Sequence, residues 1–126
     1  MIVRCVMLAI VLLSICSGCT SSDRPPLGRV SGTITMDGQP LEGVIVNFRP
    51  DEGRTATCET DSKGYYDLIY TYQVNGAKVG PSTVSFVWPT GVEGKKGIPA
   101  KFGEKSDIKF EVKSGKNKFD YDIKTK

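Results

Sequence analysis

Few residues in this chain could do chemistry, and the absent ones narrow the choice first. None of the 126 residues is histidine. That removes histidine-based triads, histidine metal sites and imidazole acid–base catalysis together. Cysteine occurs at positions 5, 16, 19 and 58. A nucleophilic Cys58 would need a base or a CxxC partner to generate thiolate, and the sequence supplies neither. A thiol packed inside a strand is its expected role. Asp37, Asp61 and the pair Asp51-Glu52 could be read as calcium ligands, but no stretch has the dense oxygen spacing of an EF-hand loop. Each acid instead stands in a turn, where a carboxylate accepts backbone N–H groups. Trp88 could stack on a ligand, yet it shares the parity of Val84 and Phe86 and belongs with the core. A Lys–Asn isopeptide bond would need a buried asparagine. Asn47 has outward parity, and Asn75 and Asn117 fall in loops. The expectation is no catalytic residue, no metal site and no cofactor.

The remaining cysteines belong to an address. Arg4 precedes an apolar run from Cys5 to Ile15, followed by Cys16, Ser17, Gly18, Cys19 and then polar Thr20 to Asp23. The order of charge, hydrophobic centre and small residues is that of a secretory signal, and the run is short for a spanning helix. An uncut N-terminal membrane anchor is the other reading. The segment's end resembles a bacterial lipoprotein signal: Ser17, Gly18 and Cys19 fit its box, with Cys16 standing where leucine is usual. Cys16 could itself be modified, but Ile15 is bulky for the position next to the cut. The resemblance implies a signal peptide over 1–18, cleavage before Cys19 and lipidation (including palmitate-type acyl chains) of Cys19. Several acyl chains anchor stably where one would be marginal. Cys5 and Cys16 then leave with the signal, Cys19 becomes a thioether, and Cys58 remains without an intramolecular disulfide partner.

Beyond Cys19 the chain reads as a single small β domain. Residues 19–27 form a polar tether with Pro25 and Pro26. Period-two alternation then marks seven strands, near 30–36, 44–49, 55–60, 65–70, 83–88, 108–112 and 119–123. Turn signals lie at Asp37-Gly38, at Pro50 and at Asp61 to Gly64, and Lys113 to Asn117 reads as a hairpin-type connection. Residues 71–82 and 89–107 read as loops, the second long enough to be functional or mobile. No window carries a helical period over ten residues. Single apolar faces on short strands require a two-sheet sandwich. Val46, Phe48, Leu68, Phe86, Phe110 and Phe119 are expected in one core.

Three segments carry a further resemblance: Val30-Ser31-Gly32-Thr33-Ile34, Asp37-Gly38-Gln39-Pro40-Leu41-Glu42-Gly43-Val44, and Thr60-Asp61-Ser62-Lys63-Gly64-Tyr65-Tyr66 with Leu68. Together they look like a carboxypeptidase regulatory-like domain, the transthyretin-like or prealbumin-like sandwich with Greek-key connections. Gly80-Pro81-Ser82-Thr83-Val84 continues the likeness, although Thr83 replaces the usual aromatic. Ile98 to Phe102 and Phe110 to Tyr121 resemble small planctomycete-type lipoproteins of this fold. The resemblance covers about residues 28–124. It implies an all-β, seven-stranded sandwich and says little about activity. Enzymes on related sandwiches use histidines that this chain lacks, so Tyr65, Tyr66, Tyr70 and Tyr72 cannot complete an iron site here.

Charge points to partners in general terms. The formal net charge is +3, which does not demand nucleic acid. From Lys95 to Lys126, ten lysines stand against Glu104, Asp107, Glu111, Asp120 and Asp122. Such a face suits anionic lipid or polysaccharide, and lysines on edge strands also block sheet-to-sheet aggregation. The expected protein is a non-enzymatic lipoprotein of the bacterial cell envelope, facing the periplasm or exterior. Its partners would be the membrane, through Cys19, and an envelope protein or polysaccharide. The alternative is a small periplasmic carrier or chaperone-like protein holding a hydrophobic or glycan ligand near the 89–107 loop.

Overall fold

The computed structural model describes residues 24–91 and 97–125. The signal segment, Cys19 and residues 92–96 lie outside them. The chain is all-β, in two sheets. Strand β1 (Leu27–Met36) is the spine of the first. Its alternation buries Val30, Ile34 and Met36 and turns Ser31, Thr33 and Thr35 outward. Along one side of it lie β2 (Gln39–Pro40), β5 (Tyr65–Asp67) and β8 (Ala77–Lys78), all antiparallel to β1. Along the other side run β11 (Gly115–Lys118) and β12 (Tyr121–Ile123), both parallel to β1. Ser31 faces Lys118 and Ile34 faces Tyr121, so the register is unbroken across the gap at 119–120.

The second sheet is antiparallel throughout. Its order is β10 (Ile108–Val112), β9 (Gly80–Val87), β3 (Ile45–Pro50), β4 (Ala56–Glu59), β6 (Ile69–Thr71) and β7 (Val74–Asn75). Inward parity on these strands fills the space between the sheets with Val46, Phe48, Ala56, Val84 and Phe86, all fully buried. Each large apolar side chain buried there contributes roughly 1.5–3 kcal/mol. Leu68 joins the sheets. It sits between β5 in one sheet and β6 in the other, is fully buried, and its N–H donates to Val30 O at 2.9 Å.

Several expectations change. The strand expected over 65–70 is two short strands in different sheets, because Leu68 turns the corner. The expected loop 71–82 contains β7, β8 and the start of β9. Residues 113–117 are not a hairpin: β10 pairs with β9, whereas β11 crosses to β1. Phe110 and Phe119 are half-buried rather than fully enclosed. They pack against the core edge with Phe48, at ring separations of 5.7 and 5.6 Å, and on each other at 5.1 Å. Cys58 shares the inward parity of Ala56 and Thr60, yet it is half-buried, because β4 meets β6 at a single residue pair, Thr57 with Ile69. Trp88 is likewise half-buried, just beyond the end of β9.

Candidate functional site

The polar residues divide into those occupied by the fold and those left over. Asp61 closes the turn before β5: its Oδ1 accepts from the N–H groups of Lys63 (2.8 Å) and Tyr65 (3.0 Å). Gly64 in that turn has φ +76°, and a Cβ there would lie 2.3 Å from Ile34 O. Asp120 Oδ1 accepts from Thr33 N–H at 2.8 Å, replacing a backbone acceptor in the gap between β11 and β12. Asp122 Oδ1 accepts from the Thr35 hydroxyl (2.6 Å) and Gly38 N–H (2.9 Å). Those two hydrogen bonds hold its carboxyl below the usual carboxylate range. Asp37 accepts from Thr125 N–H (3.0 Å) and the Thr125 hydroxyl (2.5 Å). Asn117 Nδ2 donates to Arg29 O (2.9 Å) and Lys113 O (2.7 Å). The buried Tyr66 hydroxyl donates to Phe119 O at 2.6 Å, and burial pushes its phenol well up. These groups join the C-terminal strand to β1 or close turns.

Cys58 is a free, half-buried cysteine. Its thiol lies 3.4 Å from Glu59 O, and burial pushes its pKa up, away from the thiolate. Arg29 forms a 2.5 Å pair with Asp67 Oδ2, which raises the guanidinium pKa further, first through that hydrogen bond and then through charge. Among the described residues, no group of three or more Cys, Asp or Glu side chains is placed to hold a metal.

Two polar side chains without such partners among the described residues meet on the outer face of the second sheet. Asn47 and Arg49 point outward from β3, Ser85 points outward from β9, and Thr55 precedes β4. They line a groove of about 220 Å³, closed on one side by Gly103, Glu104 and Ser106. Neither Asn47 nor Arg49 makes a side-chain hydrogen bond or ion pair among the described residues. At the groove floor, Thr83 is 7% exposed and accepts from Lys109 Nζ at 2.6 Å.

The groove wall is a pinned segment. Residues Ala100–Phe102 form a 3₁₀ turn, and Phe102 inserts beside Tyr121 in an edge contact at 6.0 Å. Lys105 N–H donates to Ala100 O (2.9 Å), and the Ser106 hydroxyl donates to Val84 O. Thus the described part of the expected 89–107 loop carries a helical turn and a core plug. On its other side is a more apolar notch of about 270 Å³, lined by Phe86, Val87, Trp88, Ile98 and Ala100 with Glu104 at the rim. The sequence points to a binding region near this loop; Asn47 enters there only as an isopeptide candidate, and neither it nor Arg49 is given a binding role. Their outward parity on a central strand was the available signal. Cys19 lies outside the described residues.

No protein-family model and no curated protein matches the chain. Among solved structures it is similar to a DUF3823 family protein from Parabacteroides merdae, with a TM-score of 0.44 and 12% identity. That alignment covers 80% of this chain and 46% of the other, so this chain spans about half the length of that protein.

Proposed function

We propose that this protein is a non-enzymatic module of the bacterial cell envelope, anchored through a lipidated Cys19, that presents the Asn47–Arg49 groove to a polysaccharide or envelope protein. The observation that carries the binding role is the division of polar side chains. Asp37, Asp61, Asp120, Asp122, Asn117 and Tyr66 are occupied by turns and strand joins, whereas Asn47 and Arg49 line a concavity without side-chain partners among the described residues. An arginine with amide and hydroxyl neighbours suits hydroxyl- and carboxylate-bearing ligands. The anchor is supported by Ser17-Gly18-Cys19 following the apolar run.

The domain itself is proposed as a carboxypeptidase regulatory-like, prealbumin-like sandwich. The order β10-β9-β3-β4 in one sheet supports this reading, as does β5-β1 with a parallel C-terminal strand in the other. Counting β11 and β12 as one strand in constant register brings these main strands to seven.

A second reading, the hydrophobic carrier, draws on the Trp88–Ile98 notch. At about 270 Å³ and open, it falls just short of the roughly 300–1,000 Å³ of sites that enclose drug-sized ligands, which favours surface docking over carriage. The test is binding of purified envelope polysaccharide fractions to the intact acylated chain and to Arg49→Ala. Retention by the wild type and loss in the variant is the expected result. Equal binding, or none by either, removes the groove from the binding role.

A further inference from the structure

The two ends of the sandwich differ in charge, and the chain joins the fold at one of them. Strand β1 runs from an end where Leu27 faces Lys78 and Gly28 faces Gly115, to an end where Met36 faces Gln39 and Ile123. At the first end, Val79 N–H donates to Pro26 O (3.0 Å) and Lys78 Nζ to Glu52 O (2.7 Å), which gathers the 50–54 loop there. The β6–β7 turn, Tyr72-Gln73, points the same way because β6 runs antiparallel to β4.

Among the described residues, this joining end carries Arg24, Arg54, Lys78, Lys113 and Lys116 against Asp51, Glu52 and Glu111. The opposite end, with the 97–107 segment that joins β9 to β10 there, carries Lys63, Lys101, Lys105 and Lys124 against Asp37, Glu42, Glu59, Asp61, Glu104, Asp107 and Asp122. Among the described residues, the excess is positive at the joining end and negative at the far end. Tyr72, at the joining end, is 85% exposed, far more than Tyr65 at 46% or Ile69 at 43%. An exposed tyrosine on the same end of a domain as an excess of cations is a composition that sits at headgroup level in membrane interfaces.

Cys19 precedes Leu27 by eight residues. Fully stretched, that tether reaches about 28 Å, less than the roughly 33 Å length of a ten-residue strand such as β1. The joining end therefore stays close to any anchor at Cys19, while the acidic end can turn away. We infer that the joining end docks against an anionic lipid surface, with Tyr72 at headgroup depth and Lys78, Lys113 and Lys116 facing phosphates. The inference rests on the proposed anchor at Cys19. The Asn47–Arg49 groove, on the side of the sandwich, remains open to the aqueous phase in this pose.

The test uses the full-length chain with Tyr72→Trp and Trp88→Phe, recovered from membranes and reconstituted into phosphatidylglycerol–phosphatidylcholine vesicles. Intact mass of the same sample reports on the anchor independently. The expected result is that the tryptophan placed at position 72 is shielded from aqueous acrylamide and quenched by brominated lipid. That shielding is lost on adding Lys113→Glu with Lys116→Glu, and kept on adding Lys63→Glu with Lys124→Glu. Hydrogen exchange on the unsubstituted chain should show vesicle-dependent protection at 72–73 and 113–116. Unchanged acrylamide access and unchanged exchange in anionic vesicles would overturn the docking, whatever the mass shows. An unacylated, uncut mass with shielding intact would overturn the anchor and leave the docking standing. A chain that never partitions to membranes would overturn both.

Discussion

The join between β1 and the C-terminal strand and the groove on the outer face of the second sheet are both rich in polar side chains, but they use them in opposite ways. In the join, Asp120, Asp122 and Asn117 are hydrogen-bonded to β1, to the turn after it or to neighbouring backbone, and Gly32 lets the C-terminal strand approach. A Cβ at Gly32 would lie 2.0 Å from Phe119 O. In the groove, Asn47 and Arg49 hold no side-chain partner among the described residues, and no fold contact there uses their amide or charge. A polar side chain with a backbone partner explains stability. One in a concavity without a partner points to a ligand.

The comparison breaks most visibly at Gly32. Gly32→Ala should cost above about 4 kcal/mol, because the clash is with backbone and the strand must move. Chemical denaturation would read it, and a cost below about 1 kcal/mol would show that the join is not close-packed. Next comes Tyr66→Phe, expected to cost about 1–3 kcal/mol by leaving Phe119 O without its donor. The same tyrosine sets an alkaline limit. Its folded pKa is raised by burial, so its contribution is complete below the unfolded value of about 10 and declines as pH rises above it. Tyr66→Phe should remove that part of the alkaline slope.

Asp122→Asn sharpens the comparison from the acid side. Because the folded pKa of Asp122 is lowered, its stabilisation is present above the unfolded value near 3.9 and is lost as pH falls through the folded one. The variant should show a shallower acid denaturation profile than the wild type. The smallest effect is expected in the groove. Arg49→Ala should change stability by no more than about 0.5 kcal/mol, and a larger loss would give Arg49 a structural role and erase the contrast.

Much of the fold was legible from residue order, for reasons that can be located. Alternation along Val30 to Met36 and Val44 to Arg49 places inward and outward faces correctly, because a half-buried strand enforces period two. Asp61 and Gly64 were readable as turn residues since the turn itself closes locally, through Asp61 with the N–H groups of Lys63, Gly64 and Tyr65, whereas the close approach of Gly64 to Ile34 was not. The parallel join was not readable. Gly115 to Lys118 is lysine-rich and turn-like, and its strand character comes from pairing with a segment 87 residues earlier. The sheet change at Leu68 was hidden because alternation continues through it while the pairing partner changes. Phe102 was hidden for a related reason: a single aromatic plug in a glycine-rich segment carries no period. The groove combines outward residues of β3 and β9 with a wall from 103–106, so its existence depends on tertiary packing.

The central claim, a lipid-anchored envelope module, is tested most directly by the intact mass of the chain recovered from membranes of a bacterial host. The account predicts a species beginning at Cys19, heavier than its 108 residues by a diacylglyceryl group and an amide-linked acyl chain. It also predicts that Cys19→Ser abolishes this species. A membrane-bound protein with the unmodified mass of all 126 residues, unchanged by Cys19→Ser, would contradict it.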